Sequence, residues 1–265
     1  MSDLETILVQ KNGNIEQLTL NRPNALNAIN ETMGDELLTT LKQAAEDSDV
    51  RCVVITGAGR AFSAGEDVQG LRERYGQGKH PSLGDHLRKK YHPIILAIRN
   101  MEKPVIASLN GIAAGSGASI ALACDFRIAS EEAGLKQAFI GMALVPDSGS
   151  SYFLIKTLGI AKALELIMSG KTIKARDAKQ LGLITEVVSA SELNKTVNEF
   201  ATHLAEGPTK ALGYSKRIVN RVSTLSLEDA LEYEAEHQDI AGRTVDHLEA
   251  VNAFLDKREP KFVGK

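Results

Sequence analysis

Two segments of the sequence are rich in small residues and could bring backbone amides close to a ligand. Residues 60–67 follow an apolar run, and residues 110–118 open an apolar helix. Small side chains let a ligand approach the backbone, and a turn leaves N–H groups free to point at an anion or a polarised carbonyl. A helix N-terminus adds unpaired N–H groups and a positive dipole end. Both segments indicate a place for an oxyanion, although tight packing of strand against helix would use the same small residues.

A third segment, residues 144–151, places one acid, Asp147, among apolar and small neighbours. A carboxylate that has lost part of its solvation has a raised pKa, and this suits it to proton transfer. The alternative is that Asp147 is the N-cap of a helix that begins near Ser150, because Asp is a common capping residue. The local sequence is compatible with both roles.

Other patterns argue against nucleotide, metal and nucleophile chemistry. Gly115 and Gly117 are followed by Ile120, so the GxGxxG pattern is not met, and no GxxxxGK[ST] occurs. Cys52 and Cys124 lie in apolar runs without zinc-type spacing, and we expect them to be small buried side chains. We predict no metal site. The histidines have no HExxH or GxSxG context, and we expect them to face solvent: His80, His86, His92, His203, His237 and His247.

Composition narrows the class of protein further. The 265 residues include 31 Lys and Arg against 34 Asp and Glu, giving a net charge of −3. There is no basic excess of the kind that binds nucleic acid, and no run reaches the roughly 20 apolar residues of a membrane span. The first residues lack the basic and apolar regions of a signal peptide, so we expect a cytoplasmic protein without nucleic-acid or membrane partners.

The positions of these segments depend on a repeated strand and helix pattern. Residues 7–10 and Ile15–Leu20 flank an Asn12-Gly13 turn, which predicts a β-hairpin. A helix follows, with Asn30 as its N-cap and an apolar face of Met33, Leu37, Leu38, Leu41, Ala44 and Ala45. A buried strand, Cys52–Gly57, comes next. A strand, a helix and a buried strand in this order predict a parallel α/β sheet.

The pattern recurs to about residue 190 and then becomes helical. We therefore predict a core at residues 1–190 and a helical region at residues 191–265. The predicted late helices cover 161–169, 175–181, 191–205, 210–222, Leu227–Ala241 and 247–257, with Ser226 and Asp229 in a capping box. Residues 71–84 are polar and contain glycine, which fits a mobile flap or an ordinary surface loop equally well.

Seven segments in this order resemble the crotonase (enoyl-CoA hydratase/isomerase) superfamily. They are residues 20–28, 54–57, 62–67, 103–107, 110–117, 123–125 and 178–184. The resemblance implies an α/β spiral of repeated ββα units with a C-terminal helical trimerisation region. It also implies a homotrimer or a dimer of trimers.

The resemblance further implies an acyl-CoA thioester as the substrate, with coenzyme A bound only as part of it and no permanent cofactor. The thioester carbonyl would accept hydrogen bonds from the backbone N–H groups of Glu66 and Ser116, which would hold an enolate oxygen. The matching positions along the coenzyme A path are Ala25, Ala28, Ala64, Gly65, Asp67, Val68, Gly115 and Gly117. Those of the substrate pocket are Ser119, Phe139 and Leu144.

Departures from the family pattern indicate the type of reaction. Hydratases of this family carry two Glu, and the corresponding residues here are Ser119 and Phe139, which cannot position and deprotonate a water. Asp147 matches a third acidic position used by isomerase members, and one carboxylate suffices to move a double bond. The setting of Asp147 is most similar to that in 1,2-epoxyphenylacetyl-CoA isomerases and Δ3,Δ2-enoyl-CoA isomerases. We therefore expect an isomerase.

Three alternatives accompany this expectation. The chain also resembles 1,4-dihydroxy-2-naphthoyl-CoA synthases around residues 149–152, but it lacks their Gly-Gly-Asp-Gln turn. It could instead be an enoyl-CoA hydratase (a lyase) of the same family. It could also be a catalytically silent acyl-CoA-binding protein, although such a protein has no reason to bury an unpaired carboxylate such as that of Asp147.

Overall fold

The computed structural model describes residues 4–69, 72, 75 and 82–265. The strands in this part of the chain are β1 (Ile7–Asn12), β2 (Ile15–Leu20), β3 (Cys52–Gly57), β4 (Ala61–Ser63), β5 (Val105–Leu109), β6 (Ile112–Ala114), β7 (Phe126–Ser130), β8 (Gly134–Lys136), β9 (Thr172–Lys174) and β10 (Glu186–Val188). They form a six-stranded sheet of order β1-β2-β3-β5-β7-β10 and a four-stranded sheet of order β4-β6-β8-β9.

The helices surround these sheets, which confirms the predicted α/β class. They are α1 (Glu31–Glu46), α2 (Leu83–His86), α3 (His92–Asn100), α4 (Ser116–Ala123), α5 (Ser150–Ser169), α6 (Ala175–Gln180), α7 (Leu193–Glu206), α8 (Thr209–Val222), α9 (Leu227–Ala241) and α10 (Val245–Asp256). A π-helical turn, Leu87–Tyr91, joins α2 to α3. Short 3₁₀ turns occupy Pro23–Ala25 and Ile140–Met142.

The first hairpin forms as predicted, with a shifted turn. Strand β1 extends to Asn12, which pairs with Ile15 of the antiparallel strand β2. The turn therefore consists of Gly13 and Asn14 rather than an Asn12-Gly13 pair. Gly13 has a φ of +58°, a conformation that glycine adopts without steric cost.

The predicted strand–helix–strand unit is also confirmed. The Asn30 side chain caps α1 by accepting a hydrogen bond from the Met33 N–H at 2.9 Å. Strands β2 and β3 are parallel, and α1 lies between them in sequence. The buried face of α1 differs from the prediction at two positions, because Ala45 is exposed and Thr40 is buried. The Thr40 hydroxyl is satisfied there by donating to the Glu36 and Leu37 carbonyls.

The six-stranded sheet is covered on both faces. One face packs against α1, α3 and the small sheet. The other face carries Cys52, Val54, Ile106 and Ile128, and α7 packs onto these residues. Cys52 and Cys124 are free and buried, as expected, and burial raises the pKa of both thiols to about 12. Both thiols are therefore packing groups.

The residue patterns alone did not predict the strands of the four-stranded sheet, although the repeated ββα units implied by the family resemblance include such additional strands. Its strands are only three residues long, so they show no alternating pattern that a sequence could reveal. Strand β6 lies inside the segment that we interpreted as a turn. This sheet matters for function because β4 and β6 end at the two small-residue segments.

The late helices are confirmed with small changes of boundary. The predicted helix 161–169 is the second half of α5, which is interrupted at Gly159 by a non-helical φ of 74° and ψ of 170°. The Ser226 side chain caps α9 by accepting a hydrogen bond from the Asp229 N–H at 3.1 Å. Among the described residues, no helix has both the length and the hydropathy needed to cross a membrane. Most of the predicted flap, residues 71–84, lies outside the described residues.

Candidate active site

The small sheet brings the two small-residue segments together. Strand β4 pairs in parallel with β6, so the chain leaves both strands at the same edge. A Cβ atom added to Gly65 would lie 2.7 Å from the Ala114 carbonyl oxygen and 3.3 Å from the Ser116 nitrogen. One added to Gly117 would lie 2.7 Å from the Ser63 carbonyl oxygen. Glycine at both positions is therefore what permits this close approach.

Two backbone amides of this edge are unused within the described part of the chain. The residues around Glu66 are fixed, because the Gly65 carbonyl accepts from Ile29 N–H at 2.7 Å and Asp67 N–H donates to the Ile29 carbonyl at 3.2 Å. Ser116 is the first residue of α4, where N–H groups have no intrahelical acceptor. No described residue accepts a hydrogen bond from the N–H of Glu66 or of Ser116. Free amides on adjacent turns are the groups that bind a developing oxyanion.

The residues assigned to the coenzyme A path adjoin these turns. The Ala64 N–H donates to the Leu26 carbonyl at 2.9 Å, which places the loop containing Ala25 and Ala28 beside residues 64–68. Buried Asn27 fixes this loop by donating to the Ala61 carbonyl at 2.8 Å. Gly115 begins the second turn with a φ of +52°.

Asp67 has a structural partner, which sequence reasoning did not show. Its carboxylate accepts a hydrogen bond from Arg22 at 2.8 Å, and the same guanidinium nitrogen donates to the Ala28 carbonyl at 2.6 Å. The Asp67 side chain thus ties the first turn to the loop before α1. Val68, next in the chain, is exposed.

Asp147 lies in a tight turn between residues 143 and 149. Ala143 and Ser148 adopt left-handed φ values of 55° and 52°, which are uncommon for residues other than glycine and cluster at functional sites. The side chain does not cap α5, because the N-cap is Gly149 without a side-chain hydrogen bond. The carboxylate instead accepts from the Ser148 hydroxyl at 2.8 Å. The alternative that Asp147 is an N-cap is therefore wrong.

The pKa of Asp147 is raised above its usual value of 3.8. Partial burial is the largest cause, since desolvation disfavours the ionised form. The hydrogen bond from Ser148 opposes the rise, the negative charge of Glu66 adds to it, and His86 and His92 oppose it. The acid is thus near Glu66 and has the electrostatic character that proton transfer requires.

Ser119 and Phe139, the residues that stand where hydratases carry Glu, are both buried. The Ser119 hydroxyl donates to the backbone carbonyls of Gly115 at 3.2 Å and of Asp147 at 3.1 Å. Ser119 therefore links α4 to the turn that carries the acid. The Phe139 carbonyl accepts from Leu144 N–H at 3.0 Å, which closes the preceding turn, and the Leu144 side chain is exposed.

A polar cluster around the Glu66 carboxylate was missed by sequence reasoning. The Tyr91 hydroxyl donates a short hydrogen bond to Glu66 Oε2, and Lys90 Nζ lies 3.2 Å from the same oxygen. His86 Nε2 lies 3.1 Å from Oε1, outside hydrogen-bond geometry. His86 is therefore part of this cluster rather than a solvent-facing residue.

His237 also departs from the expectation that the histidines face solvent, since it is buried against α8 and its Nδ1 lies 2.8 Å from the Tyr233 carbonyl.

One group of side chains in the described ranges has the composition of a metal site. Ligand atoms of Glu31, Glu66 and His86 lie within 4.8 Å of one another. Lys90 already supplies a positive charge to Glu66, and repulsion between like charges opposes a second cation there.

Comparison with known proteins identifies the family. The model of the enoyl-CoA hydratase/isomerase family matches residues 10–265. The chain is 39% identical over 262 residues to 1,2-epoxyphenylacetyl-CoA isomerase of Escherichia coli K12, covering 99% of this chain and 100% of that one. It is 34% identical over 260 residues to short-chain-enoyl-CoA hydratase of Clostridium acetobutylicum, covering 97% of each.

Solved structures agree with this result. The crystal structure of enoyl-CoA hydratase from Bacillus anthracis superposes with a TM-score of 0.90 at 32% identity, covering 98% of this chain and 100% of that chain. The chain therefore belongs to the enoyl-CoA hydratase/isomerase family and has the crotonase fold. The family is named for enoyl-CoA thioesters, and the two relatives described above carry the names of an isomerase and of a hydratase.

Replacing Asp147 by Asn tests the electrostatic character of the acid. A raised pKa in the folded chain means that the ionised form is disfavoured there, so native stability falls as the pH rises through that pKa. We expect the Asn variant to unfold at a higher temperature than the unmodified protein at a pH of about 7.5. The difference should shrink as the pH approaches about 4, where the unfolded carboxyl is also protonated.

Thermal unfolding followed by circular dichroism at several pH values measures this difference. The exposed Asp35→Asn substitution on α1 is the matched control and should shift the midpoint little. An Asp147→Asn protein that is less stable at neutral pH would show that the native state favours the ionised carboxylate.

Proposed function

We propose that this chain is an acyl-CoA isomerase that shifts a double bond, or opens an epoxide or oxepin, next to a CoA thioester. One observation carries the proposal. A partly desolvated carboxylate, Asp147, adjoins two turns with unused amides, while the positions of the two hydratase acids hold Ser119 and Phe139. The catalytic groups of the proposal are the Asp147 side chain and the backbone N–H groups of Glu66 and Ser116.

The double-bond shift needs a single proton carrier. The ionised Asp147 carboxylate removes a proton from the carbon between the thioester and the double bond, and the electron pair moves onto the thioester oxygen to form an enolate. The N–H groups of Glu66 and Ser116 stabilise the negative charge as it develops. Protonated Asp147 then returns the proton to the far carbon of the conjugated system, so the product is an isomer of the substrate. A raised pKa makes the Asp147 carboxylate a stronger base, which favours the first step, removal of the proton from carbon.

The similarity to 1,2-epoxyphenylacetyl-CoA isomerase supports this reaction class over hydration. Hydration is the main alternative, since other relatives are named hydratases. It would require two groups to position and activate water, and Ser119 and Phe139 cannot supply them. A silent acyl-CoA-binding protein is the other alternative, and the desolvated Asp147 carboxylate argues against it.

The remaining parts of the proposal concern the ligand and its surroundings. Coenzyme A enters as part of the substrate, along residues 25–28, 64–68 and 115–117, and the acyl group lies near Ser119, Phe139 and Leu144. The core of residues 1–190 carries this site. The helical region of residues 191–265 contributes to assembly, and the protein acts in the cytoplasm.

The assembly that we propose is a homotrimer or a dimer of trimers. Helices α9 and α10 expose large apolar side chains, which suggests contact with further copies of the chain. These residues are Leu227, Leu231, Val245, Leu248, Phe254 and Leu255.

Sedimentation equilibrium should give three or six copies for the unmodified protein. Phe254→Glu combined with Leu255→Glu should shift the mass toward the monomer, while Lys171→Glu at an exposed site should not. An unmodified protein that sediments as a monomer would exclude this assembly.

Replacement of Asp147 should separate chemistry from binding. We expect Asp147→Asn to lower isomerisation of a 3-enoyl-CoA by at least about a hundredfold, because general acid–base catalysis is lost. Binding of butyryl-CoA, followed by calorimetry, should be retained. An assay with 1,2-epoxyphenylacetyl-CoA in parallel, with solvent deuterium exchange followed at the α-carbon, distinguishes the two substrate types.

The exposed Asp35→Asn variant is the control for a charge change alone. Turnover by Asp147→Asn at the rate of the unmodified protein would refute the assignment of the acid. Loss of butyryl-CoA binding together with turnover would indicate a structural role for Asp147 instead.

Hydration of crotonyl-CoA should be slow in the unmodified protein. Installing both acids, with Ser119→Glu and Phe139→Glu, should increase it, since the pair can then position and deprotonate water. The uncharged pair Ser119→Gln and Phe139→Gln is the matched control for size, and circular dichroism checks the fold of each variant. Rapid hydration by the unmodified protein would mean that the acids have been misassigned.

A further inference from the structure

The hydroxyl of Tyr91 lies between the side chains of the two residues whose amides we assign to the oxyanion hole. It donates to Glu66 Oε2 and accepts a hydrogen bond from the Ser116 hydroxyl at 3.1 Å. Tyr91 is only 1% exposed, and Ser116 is buried as well. A single hydroxyl thus connects two turns that belong to different strands of the small sheet.

The π-helical turn explains how Tyr91 reaches this position. In this turn the N–H of His92 donates to the carbonyl of Leu87, five residues earlier. The turn is wider than an α-helical turn, and its last two residues, Lys90 and Tyr91, are both buried. Both of these side chains contact the Glu66 carboxylate. Single π-helical turns are rare and occur frequently at functional sites.

The direction of the hydrogen bonds follows from the protonation of the phenol. Burial, and then the negative charge of Glu66, hold the pKa of Tyr91 well above its usual range. The phenol therefore keeps its proton and donates it toward the carboxylate, which leaves its oxygen to accept from Ser116. Lys90 holds the same carboxylate oxygen and also donates to the Ile29 carbonyl at 3.0 Å. The Glu66 end of the bridge is thus fixed by a second side chain of the same π-helical turn.

We propose that Tyr91 is a positioning residue that sets the spacing of the Glu66 and Ser116 amides through their own side chains. The inference rests on the proposed function, since it assigns a purpose to the same pair of amides. Tyr91 is hydrogen-bonded to the side chains of the same two residues, Glu66 and Ser116, whose backbone amides form the site. A movement of either turn therefore stretches a hydrogen bond to the phenol. Preorganised donors lose much of their effect when they are displaced by about 1 Å.

Tyr91→Phe tests this role, because it removes the hydroxyl and keeps the ring. We expect kcat for isomerisation of a 3-enoyl-CoA to fall about tenfold to a hundredfold, with KM little changed. The infrared carbonyl band of bound butyryl-CoA, labelled with ¹³C at the thioester carbon, should move back toward its position in water. A residue that only supports the fold would not produce this loss of carbonyl polarisation.

Two further variants sharpen the test. Ser116→Ala removes the other end of the same bridge, so it should reproduce the carbonyl shift, and adding it to Tyr91→Phe should have little further effect. If the Tyr91→Phe protein fails to fold, Ser116→Ala alone still tests the inference. Tyr214→Phe is the matched control, since it deletes a hydroxyl on α8, and it should leave kcat and the carbonyl band unchanged.

The carbonyl band separates the failure of this inference from the failure of the proposed function. If the unmodified protein polarises the carbonyl and Tyr91→Phe does not, the positioning role stands even without isomerisation. If Tyr91→Phe retains both the carbonyl band and kcat of the unmodified protein, the inference is wrong while the isomerase proposal is unaffected. Full additivity of Tyr91→Phe and Ser116→Ala would also overturn it, because two ends of one bridge cannot act independently.

Discussion

The close approach of two backbone turns is the constraint on which the rest of this site depends. At both Gly65 and Gly117, a side chain would collide with the backbone of the opposing segment. Their contact brings the two turns together at the end of the small sheet, and the N–H groups of Glu66 and Ser116 have no protein acceptor in the described part of the chain. An oxyanion site built from main-chain amides requires no particular side chain, but it requires that the two turns keep a fixed distance.

That distance is maintained by the elements on either side. Strands β4 and β6 set the register, buried Asn27 holds the loop before α1 against β4, and Ser119 joins α4 to the acid turn. Behind them, a six-stranded sheet covered on both faces gives the small sheet a rigid support. The partial burial of Asp147 is destabilising by itself, and a well-packed core is what allows such a group to persist.

The sequence revealed those features that are encoded locally. The Asn30 cap, the buried strand β3 and the late helices each have a periodic or capping signal within a few residues, and all of them are confirmed. The Tyr91 bridge has no such signal, because it joins residues 25 positions apart through a π-helical turn that breaks the normal helical period. The same reason applies to His86, whose neighbours Glu31 and Glu66 are distant in the chain. Three-residue strands are likewise too short for a periodic pattern to identify.

Glu66 is a second carboxylate near Asp147, so its contacts bear on whether one acid or two could take part in the reaction. Hydration of a double bond needs a group that is free to take a proton from water, and Glu66 is close enough to influence the pKa of Asp147. However, Glu66 Oε2 already accepts from Tyr91 and Lys90, and Oε1 faces His86. These contacts fix the position of the Glu66 carboxylate. Glu66 therefore holds the turn and contributes to the field around Asp147, and this supports the single proton carrier of the proposed isomerase.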